Sequence, residues 1–215
     1  MKIEQTQVIS QNITLVYDTL DPSLVDTGKL KVLLGDQTKP AIMDTPQMVV
    51  AIFPKIFTFV QIGERRIRVT VQQQTQDIGT VPIWAVAAQA HQLVPSSKSK
   101  LIAYGLNFDI AIVVSEGNIL DTINNTFLAN PSLIADAIQG HFTLIIPRLK
   151  FSRDRAAYEL VLEPIDGTHL KVHLNAHYAH ADINLPPSDS LERIFRSEFS
   201  YLIDLLGRFL QGGHV

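Results

Sequence analysis

Leu101-Ile102-Ala103-Tyr104-Gly105-Leu106-Asn107-Phe108-Asp109-Ile110-Ala111-Ile112-Val113-Val114 alternates throughout between two unlike sets of side chains. Ile102, Tyr104, Leu106, Phe108, Ile110, Ile112 and Val114 form a large apolar row. Leu101, Ala103, Gly105, Asn107, Asp109, Ala111 and Val113 are mostly small or polar. A period of two is the signature of a strand, so this stretch predicts a long central strand with its large row in the core. Its length exceeds the usual strand, and Gly105 is the expected bulge.

Outward from it, strands are expected at Val8 to Tyr17, Leu30 to Leu34, Met48 to Phe53, Phe57 to Ile62 and Arg66 to Gln73. In the last of these Ile67, Val69 and Val71 alternate with Arg66, Arg68, Thr70 and Gln72, so one face of the sheet should be wet. A helix is expected from Pro82 to Pro95, another opened by Asn118, and a third from Asn130 that buries Leu133, Ile134, Ala137 and Ile138 and ends at Gly140. The second half begins with strands again, at Phe142 to Ile146, Leu149 to Phe151, Ala157 to Glu163 and His169 to His180. It closes in a long helix capped by Asp189 and stopped by Gly212 and Gly213. The expected class is α+β: antiparallel sheet with packed helices, in two strand-rich halves each closed by a helix. Residues 1–215 form one compact unit, with sub-halves 1–116 and 141–215 joined by the helical segment 117–140.

The 215 residues are 46% apolar and 18% charged, enough to bury a sizeable core. The absence of cysteine excludes disulfides, thiolate metal sites and cysteine nucleophiles. A formal charge of −3 argues against the footprint of a non-specific nucleic-acid binder. No stretch approaches the roughly 18 apolar residues of a membrane span and the N-terminus has no apolar leader-like region, so a cytoplasmic location without membrane contact is expected.

Gln61-Ile62-Gly63-Glu64-Arg65, a helix about twenty residues later and Tyr104-Gly105-Leu106-Asn107-Phe108 in a strong strand together resemble, over residues 48–115, the layout of a sporadically distributed family of uncharacterised bacterial proteins. The resemblance implies no defined activity.

Two groups of side chains could carry chemistry. His169, His173, His177 and His180 lie within one strand, and histidines suggest a metal-dependent enzyme. Residues four apart on a strand are about 13 Å apart, however, so no two of them can share one zinc. A single histidine could still combine with a carboxylate from a neighbouring strand, and His180 with Asp182 has the i, i+2 spacing that puts both on one strand face. Lys171 stands among these histidines on the same predicted face. The second group is basic: Arg65, Arg66 and Arg68 around one strand, Arg148, Lys150, Arg153 and Arg155 around another. If the two strands were neighbours they would form a stripe able to track the phosphates of single-stranded nucleic acid, although no outward aromatics interleave it. Asn107 and Asp109 are candidates for a pocket on the small face of the long strand.

No nucleophile elbow, Walker loop, zincin helix or dinucleotide fingerprint occurs, so no catalytic residue is assigned and no cofactor is expected. The expected function is that of a binding or scaffold protein. Its sheet presents a polar face, carrying His169, Lys171, His173, His177, Arg66 and Arg68, or an open strand edge, to a protein partner. The partner includes a second copy of the chain: the apolar stripe of the last helix is broad, and its excess at Ile194, Ile203 and Leu210 points to a homodimer contact.

Overall fold

A computed structural model describes residues 1–35, 39–95, 97–139, 143–180 and 183–211. Nine strands among them form one antiparallel sheet: β1 (Lys2–Tyr17), β2 (Ala41–Asp44), β3 (Met48–Phe53), β4 (Thr58–Gly63), β5 (Arg66–Val71), β6 (Leu101–Ser115), β7 (Arg148–Arg153), β8 (Ala156–Pro164) and β9 (His169–Tyr178). Their spatial order is β2-β3-β4-β5-β1-β6-β9-β8-β7. The helices are α1 (Thr27–Val32), α2 (Ile83–Gln92), α3 (Ile119–Phe127), α4 (Pro131–Ile138) and α5 (Ser188–Leu210). The chain is α+β, as its alternation predicts, and no helix among the described residues is long and apolar enough to cross a membrane.

The two long strands β1 and β6 pair along almost their whole length at the centre of the sheet. From each, the order outward is the same: β1-β5-β4-β3 on one side and β6-β9-β8-β7 on the other. Each long strand is followed by a helical stretch, then by a meander, of four strands (β2 to β5) in the first half and three (β7 to β9) in the second, whose last strand returns to pair with it, then by a covering helix. The repeated order therefore runs from β1 to α2 and from β6 to α5. The helical segment 117–140 lies inside the second half, where α1 lies in the first, instead of separating the two.

All apolar cover is on one face. α2 packs on β5, β1 and α5, while α5 packs on β1 and β6 with α3 beside it. A register row such as Val69–Ile13–Leu106–Ala176–Tyr158 is buried from end to end beneath them. Away from the bulges the period of two sends the next residue of each strand to the opposite face, on which none of the packing helices α2, α3 and α5 lies.

Several expectations change. Leu30 to Leu34 is not a strand. The Asp26 carboxylate accepts from the backbone N–H of Gly28 and Lys29 and caps α1, which buries Leu30 and Leu33, three residues apart and so on one helical face. The bulge in β6 falls at Ile102, the extra residue between the pairs Val16/Ala103 and Tyr17/Leu101. Ile102 is thereby turned outward, 37% exposed, whereas Gly105 pairs regularly with Thr14 and His177. Residues 143–147 form no strand. α4 is capped by Asn130 as its sequence predicts, but its apolar side is left largely exposed among the described residues: Leu133 is 64% and Ile138 54% exposed. Its C-cap is the left-handed Gln139, and Gly140, Phe142, Gly212 and Gly213 lie outside the described residues. α5 starts at Ser188, with Pro187 rather than Asp189 in the cap position.

The breadth of the α5 stripe is absorbed by the chain itself. Leu210 is buried and Ile194 and Ile203 are half-buried against the core. Asp189, Arg193, Arg196, Ser200, Asp204 and Arg208 face outward as a polar stripe. A homodimer contact through α5 thus loses the ground on which it was expected.

Candidate functional site: the open face of the sheet

The uncovered face is read most directly in register rows across the strands. One row runs Gln61–Arg68–Thr14–Gly105–His177–Ala157–Ser152, the next Thr70–Asn12–Asn107–Asn175–Glu159–Lys150, and a third Ser10–Asp109–His173–Val161–Arg148. Strands far apart in sequence thus bring three asparagines side by side. Asn107 Nδ2 donates to Asn12 Oδ1 at 2.8 Å, and Thr14 Oγ1 donates to the same oxygen at 3.1 Å. Asn175 Oδ1 is buried and has no hydrogen-bond partner among the described residues. Over these rows lies a depression of about 390 Å³, lined among others by Arg66, Arg68, Gly105, His173 and His177. Gly105 is its floor, and an added Cβ there would meet Asn175 Oδ1 only at ordinary contact distance, 3.4 Å.

The predicted site residues fall in place to different degrees. His169, Lys171, His173 and His177 do share the open face, alternating with the buried Leu170, Val172, Leu174 and Ala176. His169 is turned away to the β8–β9 turn, where its Nδ1 lies 2.9 Å from Asp166. That carboxylate also accepts from the backbone N–H groups of Thr168 and His169, which with the imidazole hold its pKa far below the usual carboxylate range. His173 Nδ1 lies 2.8 Å from Asp109 Oδ1, which orients the ring. Ser10 is the register partner of Asp109 on the side away from His173, so the carboxylate and not the imidazole is central. Acyl transfer requires the reverse.

Among the described residues no three His, Asp or Glu side chains converge as a metal-binding group. His180 is exposed at the end of β9, and its expected companion Asp182 lies outside the described residues.

The two basic strands are not neighbours. β5 and β7 are separated by β1, β6, β9 and β8, about 24 Å at the usual strand spacing, so no continuous phosphate-tracking stripe forms. Arg65 sits in the β4–β5 turn and donates from Nε to the Tyr17 carbonyl at 3.2 Å. Arg148 and Lys150 pair with Glu159, and Lys171 with Glu163. Arg66, Arg68 and Arg155 have no carboxylate partner among the described residues. Of the two basic groups, these three arginines are therefore open to an external anion.

Arg153 goes to the other side of the sheet and joins a polar group that periodicity alone conceals. Glu198 stands in the apolar stripe of α5 between Phe195 and Leu202 and is buried. Tyr158 and Tyr178 donate to its Oε1 at 3.0 and 2.7 Å. The Arg153 guanidinium lies 3.7 Å from the same oxygen and 3.7 Å above the Tyr201 ring. The signal was present as one carboxylate at core spacing in the helix. Burial, with the adjacent Glu198 charge, raises Tyr158 and Tyr104 to about 12. The folded state therefore holds their protons more tightly than an unfolded tyrosine near 10, so this stability is intact below pH 10 and is lost as pH rises towards about 12. Urea midpoints measured across that interval should fall for the unmodified protein and less steeply for Tyr158→Phe. A midpoint independent of pH would show that these hydroxyls are not buried.

No protein-family model matches the chain, and no curated protein matches its sequence.

Proposed function

We propose that this chain is a binding module whose open polar sheet face, centred on the join between β1 and β6, receives a partner protein. The observation that supports this reading most strongly is the one-sided cover. Helices bury one face of a nine-stranded sheet, while the other carries a depression with unpaired arginines and an unsatisfied amide at its centre. Such an arrangement contributes nothing to the core and suits recognition by polar complementarity. The sheet edges serve less well. β2 is only four residues long, and β7 carries Arg148, Lys150 and Arg153, the charged edge that disfavours strand addition.

The test is site-specific photo-cross-linking in the native host, with the reactive residue placed at Thr70 or Ala157 on the open face and at Ser197 or Ser200 on α5. A discrete protein adduct from the first pair and none from the second is the expected result. Adducts confined to α5, or none from the open face, would overturn the reading.

A further inference from the structure

We propose that the open face binds an extended acidic segment of its partner, laid across the strands, with carboxylates near both ends. The proposal rests on the reading of this face as a partner surface and names the chemistry of what it receives.

Three observations carry it. The first is shape. The depression over Gly105 adjoins two others on the same side of the molecule, of about 420 and 550 Å³, and His177 lines all three. Together they make one trough from Arg66 and Arg68 on β5 to Asp154 and Arg155 in the β7–β8 turn. Five strand spacings make this about 24 Å, the length of roughly seven extended residues. Small side chains, Gly105, Ala157, Ala179 and Ser152, keep its floor low.

The second is charge. Along the middle of the trough Lys150 is paired within the chain by Glu159, the His173 imidazole is hydrogen-bonded to Asp109, and Asp154 is taken by Arg153. The arginines at the two ends, Arg66 with Arg68 and Arg155, have no such partner among the described residues. A guanidinium fork binds a carboxylate through paired N–H groups, so each end is suited to one acidic side chain.

The third is the floor. Asn175 Oδ1 is a buried acceptor without a donor among the described residues, at the meeting of two of the three depressions. A buried acceptor in this state needs an N–H. A peptide backbone supplies one at every residue, whereas a phosphodiester chain offers only acceptors. Of the rings that line the trough, Tyr158 is buried with its hydroxyl on Glu198 and Phe151 is stacked on it, which leaves a base the imidazoles of His173 and His177 alone, one of them held by Asp109. An acidic peptide satisfies the ends with its side chains and the middle with its backbone, whereas a nucleic acid would have to turn a base inward to bring an N–H to the middle.

The experiment is fluorescence anisotropy with a fluorescein-labelled peptide Glu-Glu-Gly-Ser-Gly-Ser-Glu-Glu, its counterpart with Lys for Glu, and single-stranded oligothymidylate as competitor. The acidic peptide is expected to bind with a Kd below about 1 mM and the basic one not to bind. Arg66→Glu combined with Arg68→Glu should weaken binding about tenfold or more, while Arg193→Glu on α5 should leave it unchanged. Gly105→Val fills the floor at a position where a Cβ is tolerated. It should abolish binding with its thermal transition intact, which keeps the test valid if the double reversal does not fold. Absence of binding at about 1 mM, equal binding to the charge-reversed and Gly105→Val proteins, or oligothymidylate binding more tightly than the peptide would each overturn the proposal. Should the open face still cross-link to a protein after such a failure, the partner surface stands and only its acidic preference falls.

Discussion

A chain ending at Pro187 is expected to lose its cooperative unfolding transition. α5 contributes Leu191, Phe195, Leu202, Leu206 and Leu210 to the core. The Phe195 ring packs on Phe108 at 4.7 Å and on Trp84 at 6.0 Å, and Phe209 meets Phe127 of α3 at 5.6 Å. Each such side chain is worth about 1.5–3 kcal/mol when fully buried, so the helix as a whole supplies on the order of 10 kcal/mol. That is comparable to the entire net stability of a typical domain. The truncated chain should keep far-UV circular dichroism from its local hydrogen bonding, bind a hydrophobic dye strongly and melt without a sharp transition. A truncated protein with a sharp transition and no dye binding would show that α5 is a dispensable lid.

The second large effect is at Phe108. Its side chain is fully buried at the centre of the sheet beneath Phe195 and Phe199. Phe108→Ala should therefore cost about 3–5 kcal/mol, from lost transfer free energy and a cavity that neighbouring strands cannot close. Asp109 is the next residue and faces the other way. Its contact with His173 is half-exposed, so Asp109→Ala should change stability by no more than about 1 kcal/mol. Comparable losses for the two in urea denaturation would mean that the faces of β6 are assigned the wrong way round.

These predictions differ in how much of their basis can be read along the chain. The faces of β5, β6 and β9 are local properties, because alternation places successive side chains on opposite sides wherever the strand pairs. Arg66, Arg68, His173 and His177 could thus be set on a wet face from their own neighbours. α1 and α4 show the limit of that reading. Leu30 to Leu34 is short enough to satisfy either period, and the capping carboxylate of Asp26 decides for the helix. The apolar side of α4 has a helical pattern but little cover among the described residues, since periodicity states which residues could be buried and not what covers them.

Residue order alone was enough to establish that the chain would be α+β, that β6 would be a core strand with unlike faces, and that His173, His177, Arg66 and Arg68 would be turned outward. Those facts follow from side-chain period and composition, which act within a few residues. It took strand pairing to bring β1 and β6 together at the centre, to set Asn12, Asn107 and Asn175 abreast, and to hold β5 and β7 too far apart to share a stripe. Tertiary packing also encloses Glu198 with tyrosines and Arg153. Each of these depends on strand order and register, and a one-residue slip in register would have sent the side chains of the strand concerned to the opposite face.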